Sequence, residues 1–150
     1  AVVPAGDARI AAHASRRGAR LVRFGVDLAR EDGVGLAGEA IARRDGGGAP
    51  QPLVTIGAVK LTGRHMLGNV MAACAMAHLA GVSPQHMTEA VAGFTGLEHA
   101  LEYVATIGAT RFYNDSKATN VEAATMAVEA FDGPVTAIVG RDNLAGTQFP

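Results

Sequence analysis

The residues of this chain best suited to chemistry stand together in Asn114-Asp115-Ser116-Lys117-Ala118-Thr119-Asn120. One short stretch offers a carboxylate, an ammonium and hydroxyls. Arg111 to Tyr113 before it reads as a strand, and Val121 to Phe131 after it as a helix. Ligands of open parallel sheets collect at the carboxyl ends of strands. A helix N-terminus presents free N–H groups and partial positive charge, so anions bind there. Lys117 adds a mobile cation suited to phosphate, and Asp115 suits a metal, a ribose hydroxyl or a water. The set fits the handling of nucleotide phosphates. The same residues also fit a structural role. Thr119-Asn120-Val121-Glu122 reads as a capping box, with Thr119 as N-cap and Glu122 reaching back. Asp115 and Ser116 are ordinary turn formers. Spacing alone leaves these two readings level.

Other candidates are weaker. Gly33-Val34-Gly35-Leu36-Ala37-Gly38 matches G-x-G-x-x-G. A dinucleotide loop needs a strand directly before it and a helix directly after, and here the charged Ala29-Arg30-Glu31-Asp32 precedes it. His13, His78 and His86 are dispersed, without metal-ligand spacing. The pattern assigns no metal ligand. His78 reads as a partly exposed helix residue. Met66, Met71 and Met76 read as core gap-fillers. Cys74 lies in an Ala- and Met-rich run and reads as a buried, inert thiol.

The elements that must position the loop follow from periodicity and punctuation. Ala1 to Val3 reads as the end of a strand, Asp7 to Arg17 as a helix and Arg20 to Phe24 as a strand. Leu36 to Arg43 fits a strand or a short helix equally. Asp45 to Pro52 is a turn rich in Gly and Pro. Leu53 to Ile56 and Val59 to Leu61 read as a hairpin. Asn69 to Leu79 is a helix stopped by Gly81. Ser83-Pro84 opens another, to about Ala92, with Ser83 as N-cap. The two are apolar over wide faces and are expected to pack together. Glu102 to Thr106 and Arg111 to Tyr113, the helix from Val121, and an apolar strand from Val135 to Val139 make a βαβ unit of a parallel sheet. The expected boundary lies near Phe94 to Leu97, giving the end of one α/β domain over 1–95 and the start of another over 96–150.

Composition limits the function classes. The net charge of −1 gives no basic surface for nucleic acid or an anionic membrane. No apolar run reaches the ~18 residues of a membrane span, and no secretory signal opens the chain. One cysteine excludes an internal disulfide and fits a reducing compartment. The chain opens on the apolar run after Ala1, and Gln148-Phe149-Pro150 follows a loop with no closing element, so both ends read as cuts.

The NDSKATN stretch resembles the entrance of the C-terminal domain in the Mur ligase family, in its D-glutamate-adding branch. Other segments agree in register. Leu61-Thr62-Gly63-Arg64-His65 with Asn69 resembles the G-x-H-N-x-x-N segment of the family's central ATPase domain. Gly96-Leu97-Glu98-His99 resembles its G-L-x-H-R segment, and Val139-Gly140-Arg141-Asp142 its later glycine-rich loop. Val2-Val3-Pro4-Ala5-Gly6-Asp7 is similar to V-V-N-A-D-D after a central-domain strand. The resemblance implies an α/β fold: the end of a central ATP-binding domain, then the start of a Rossmann-like C-terminal domain with a parallel sheet. It implies a cytoplasmic enzyme, monomeric in its full-length form, of peptidoglycan precursor synthesis. Such an enzyme uses ATP and Mg2+ to phosphorylate the carboxylate of UDP-N-acetylmuramoyl-L-alanine, and D-glutamate attacks the acyl phosphate. Asn69 and His99 would lie near adenine and ribose, and Asp115 would contact the ribose. Lys117 and Thr119 would serve phosphate and catalysis, with Ser116 and Thr119 on the D-glutamate side.

Three departures stand out. Met66 replaces an Asn of the family pattern, Ala100 replaces an Arg, and Leu144 lies where a Lys is expected. The G-x-x-G-T/K phosphate loop does not occur in the chain. The chain alone is therefore expected to be inactive. A non-catalytic nucleotide- or small-molecule-binding module derived from the same fold is the alternative.

Overall fold

The computed structural model describes residues 1–16, 18, 20–26 and 32–140. It separates into two compact units, Ala1–Lys60 with Met66–Thr95, and Leu61–His65 with Gly96–Pro150. The fold is α/β.

The first unit is a mixed sheet in the order β1 (Val2–Pro4), β2 (Val22–Phe24), β3 (Gly33–Ala37), β4 (Ala40–Arg44) and β5 (Gln51–Thr55). The β1–β2 and β2–β3 pairs are parallel, and the last two pairs are antiparallel. A parallel pair needs a crossover, and α1 (Ala8–Arg16) supplies it between β1 and β2. Asp7 caps that helix: its Oδ1 accepts the Ile10 N–H at 2.9 Å. The antiparallel β3–β4 pair needs only a tight turn, and Gly38 makes it at φ +59°. That turn settles Leu36 to Arg43 as two strands. The G-x-G-x-x-G stretch is thus one arm of a hairpin, without a following helix.

Val34, Ile41 and Val54 of the sheet are buried, as are Met71 and Cys74 of α2 (Arg64–Leu79). Each large apolar side chain here contributes about 1.5–3 kcal/mol by leaving water. Val70, Met71, Cys74 and Ala75 fall on one side of α2 because residues three and four apart share a helix face. Met76 lies off that face and is 56 % exposed, so it fills no core gap. The helix ends in a Schellman motif. Gly81 adopts φ +82°, its N–H reaches His78 O, and Val82 N–H reaches Ala77 O, both at 3.0 Å.

Helix α3 (Pro84–Gly93) starts as its sequence predicts, with Ser83 Oγ accepting the His86 N–H. Its main neighbour is β5 rather than α2. Met87 is buried, and Thr88 Oγ1 donates to Leu53 O. The hairpin expected from 53–56 and 59–61 does not form. β5 pairs with β4, and Ile56–Ala58 closes a 3-10 turn in which Val59 N–H binds Ile56 O, which removes that donor from any ladder. Gln51 and Pro52, read as turn, open β5. Pro52 is tolerated because β5 ends the sheet and the register shifts opposite it, at Ile41/Ala42.

In the second unit β6 (Glu102–Ile107) and β7 (Thr110–Asn114) form an antiparallel hairpin around Gly108, at φ +61°. Helix α4 (Val121–Val128) follows. The Tyr113 ring joins hairpin to helix end, 5.7 Å from Tyr103 and 4.7 Å from Phe131. Residues 135–139, read as the second parallel strand, carry no strand. A strand exists through its ladder, and among the described residues no third strand pairs with β6 or β7.

Candidate functional site

The site grows from the β6–β7 hairpin. Pairing of Glu102 with Asn114 brings residues 97–101 beside residues 114–118. The two segments are tied at several points. Lys117 N–H donates to His99 O at 3.0 Å. Asp115 Oδ1 accepts the Leu101 N–H at 2.9 Å. Asn114 Nδ2 lies 2.8 Å from His99 Nδ1. Glu102 Oε2 accepts the His99 N–H at 2.9 Å. These bonds hold two non-glycine residues at positive φ, His99 at +66° and Leu101 at +49°. A left-handed conformation costs an L-residue roughly 1–2 kcal/mol, and backbone held this way by its surroundings clusters at functional sites.

The structure therefore brings His99, Asp115, Ser116, Lys117 and Thr119 into one region of the second unit. Asn69 lies on α2 in the first unit, exposed, with its Nδ2 3.7 Å from Met66 Sδ. Asp115 commits one oxygen to Leu101 and its backbone carbonyl to Ala118 N–H. Ser116, Lys117 and Thr119 are exposed, and the Lys117 ammonium makes no ion pair among the described residues.

The capping box does not form as read from the sequence. The N-cap of α4 is Asn120, in extended backbone at φ −144° and ψ 165°, and its Oδ1 accepts the Ala123 N–H at 2.8 Å. Asn is at least as good an N-cap as Thr, and the helix starts one residue later than the box requires. Thr119 is released from a capping duty. Ala100, at the position of a family Arg, donates its N–H to Leu97 O at 3.2 Å and offers no side-chain polar atom. Leu144, Arg141 and Asp142 lie outside the described residues.

Asn114 and Glu102 are organising residues that the sequence reading did not single out. Asn114 was visible inside the NDSKATN run. Glu102 had no signal, since its partner is a backbone N–H placed by the turn at His99 to Leu101.

Elsewhere, burial raises the Cys74 thiol above its ordinary value and lowers His78, with Arg43 adding to the latter. Backbone N–H groups of Gly47 and then Gly46 hold the Asp32 carboxyl below its ordinary value. A cleft of about 240 Å³ in the first unit is lined by Arg20, Val34, Arg43, His78 and Leu79, and not by Asn69. Among the described residues no group of three or more His, Cys, Asp or Glu is placed to hold a metal. No described helix is long and apolar enough to cross a membrane.

No family model matches the chain. It is similar to known ligases, however. A UDP-N-acetylmuramoylalanine--D-glutamate ligase of Acidobacterium capsulatum is 49 % identical over 92 residues, which is 61 % of this chain and 20 % of that protein. One of Bacillus cereus strain Q1 is 37 % identical over 139 residues, 93 % of this chain and 30 % of the relative. One of Desulfitobacterium hafniense strain Y51 is 36 % identical over 137 residues, 91 % and 30 % respectively. The chain thus spans at most 30 % of the length of these curated relatives. By sequence, the class is that of the ligases. The family is that of the Mur ligases, to which this chain belongs in the branch named for D-glutamate.

Proposed function

We propose that this chain is part of an ATP-dependent ligase that joins D-glutamate to UDP-N-acetylmuramoyl-L-alanine through an acyl phosphate, in peptidoglycan precursor synthesis. Residues 1–95 would be the later part of its central ATP-binding domain and 96–150 the first part of its C-terminal domain. The enzyme would be cytoplasmic and monomeric. One observation carries this: in the loop between β7 and α4 the Ser116, Lys117 and Thr119 side chains make no hydrogen bond among the described residues, in a chain 37 % identical over 93 % of its length to ligases of that name.

The residues present fit a nucleotide in part. Lys117 would meet a phosphate as a point charge. Asp115, with one oxygen uncommitted, would accept from a ribose hydroxyl. His99 would add a ring N–H; Asn69 is proposed as a nucleotide-binding residue on the family resemblance alone. Ser116 and Thr119 would orient the D-glutamate end. When bound, ATP supplies the phosphoryl group, and the charge that develops in its transfer is what fixed cations stabilise. The residues do not fit a magnesium site, since no acidic cluster is present among those described. Magnesium would reach the site with the nucleotide, held by other parts of a longer protein.

Substituting Lys117→Ala in a full-length ligase carrying this chain tests the assignment. Ligation kcat/KM is expected to fall at least about tenfold. An unchanged value removes Lys117 from the site. Calorimetric titration of the chain with Mg-ATP discriminates the alternative, a non-catalytic nucleotide- or small-molecule-binding module, which Ala100 and Leu144 favour by standing where the family has an Arg and a Lys. Binding without ligation by the full-length protein would establish that module.

A further inference from the structure

The pinned His99 carries an inference of its own. Asn114 is held from two directions. Its Oδ1 accepts the Ser116 N–H at 3.1 Å, which fixes which end of the amide is oxygen. The other end, Nδ2, then faces His99 Nδ1 at 2.8 Å. An amide nitrogen donates only. His99 Nδ1 must therefore be the acceptor, and in a neutral imidazole the proton then sits on Nε2.

The ring's setting agrees. His99 stands at φ +66° with its N–H bound to Glu102 Oε2 and its carbonyl bound to Lys117 N–H. Its backbone is fixed on both sides, and Asn114 fixes the remaining freedom of the ring. The side chain is nonetheless 55 % exposed. Glu102 Oε2 lies 3.5 Å from Nδ1, outside hydrogen-bond geometry while Asn114 fills that nitrogen. A carboxylate alone would select the opposite tautomer, with the proton on Nδ1.

We propose that Asn114 is a positioning residue: it locks His99 as the Nε2–H tautomer, so that the ring offers a hydrogen-bond donor to an acceptor oxygen of a bound nucleotide. The tautomer follows from this chain's own hydrogen bonds, whereas the nature of the acceptor rests on the ligase reading.

The test uses the full chain labelled with 15N in histidine. Long-range 1H–15N correlation spectra separate protonated from unprotonated ring nitrogens. The wild-type His99 is expected to show the proton on Nε2. Asn114→Asp keeps an acceptor for Ser116 N–H but replaces the donor with a second carboxylate oxygen, and is expected to move the proton to Nδ1. Asn114→Ala is expected to give a mixture of tautomers, and the amide spectrum reports that each variant is folded. With Mg-ADP as probe, both substitutions are expected to weaken binding about tenfold, the loss of roughly 1.4 kcal/mol. Glu102→Gln, which keeps an acceptor for the His99 N–H, should leave the tautomer unchanged. A wild-type proton on Nδ1, or a tautomer indifferent to residue 114 in folded variants, overturns the proposal. So does a switched tautomer with unchanged Mg-ADP affinity. A tautomer that switches in a chain to which Mg-ADP does not bind upholds the positioning role and removes the nucleotide reading instead.

Discussion

Replacing Asn120 with Ala removes the acceptor of the Ala123 N–H at the start of α4. Asn120 is exposed, so water takes over part of that duty. The loss should then fall within the ~0.5–2 kcal/mol typical of N-caps, nearer ~1. Helix α4 is only 8 residues long. A helix of that length is marginal without tertiary support, so fraying at Asn120 reaches a large share of it. For a unit of this size, ~1 kcal/mol corresponds to a fall in Tm of roughly 4–8 °C. Thr119→Ala is the control. Its side chain makes no capping bond, and its substitution should change stability by less than ~0.5 kcal/mol. Thermal and urea unfolding followed by far-ultraviolet circular dichroism would measure both. Equal destabilisation by the two substitutions, or none from Asn120→Ala, would show that the cap is wrongly placed. The outcome bears on function, because only a Thr119 free of capping can lend its hydroxyl to a ligand.

Further outcomes follow from single features. Gly63→Ala should destabilise the second unit by about 2–4 kcal/mol in urea titration, because Gly63 holds φ +97° and an added Cβ would stand 2.9 Å from Ala130 Cβ; a midpoint within error of wild type would deny that close approach. Gly81→Ala should cost about 1 kcal/mol or more through its left-handed C′ position at φ +82°, read as a lowered thermal midpoint. Cys74, 2 % exposed and with its thiol raised by burial, should resist alkylation in the native chain and react at the rate of a free thiol in urea. His78 binds its proton more weakly folded than unfolded, because burial and Arg43 oppose the charge. The unfolded chain therefore holds more protons below about pH 6.5, and stability should fall as pH drops through that range. His78→Gln should flatten the change in urea midpoint between pH 7.5 and 5.5.

Much of the architecture was legible where a residue type has one mechanical use. Ser83-Pro84 announced a helix start and Gly81 a helix end. What misled were patterns whose outcome depends on a distant partner. Val59 to Leu61 has strand composition, but Val59 gives its N–H to a local turn. Val135 to Val139 is apolar enough for a parallel strand, yet composition cannot supply the neighbour that a ladder needs. Leu36 to Arg43 was ambiguous until Gly38 divided it. At the candidate site, the types and spacing of Asp115, Ser116, Lys117 and Thr119 mark a loop that the structure places between β7 and α4. The division of labour within it was not legible: Thr119 and Asn120 are both good caps, and only the starting point of α4 chooses between them. Asn114 escaped because its partner, His99, is 15 residues away and is brought into range by hairpin pairing, and Glu102 because its partner is a backbone N–H aimed by the turn before β6.

That hairpin also sets the order of events during folding. Every tie between residues 97–101 and 114–118 closes a short loop through Gly108, and such hairpins form in about 1–10 μs. The packing of α2, at Arg64–Leu79, beside β3, at Gly33–Ala37, joins segments farther apart in sequence, and contacts of that kind form more slowly. The two segments around His99 should therefore be joined early in folding, while α2, which carries Asn69, is still docking on the sheet. Slow steps in folding would then delay the sheet without unmaking the loop that holds Lys117.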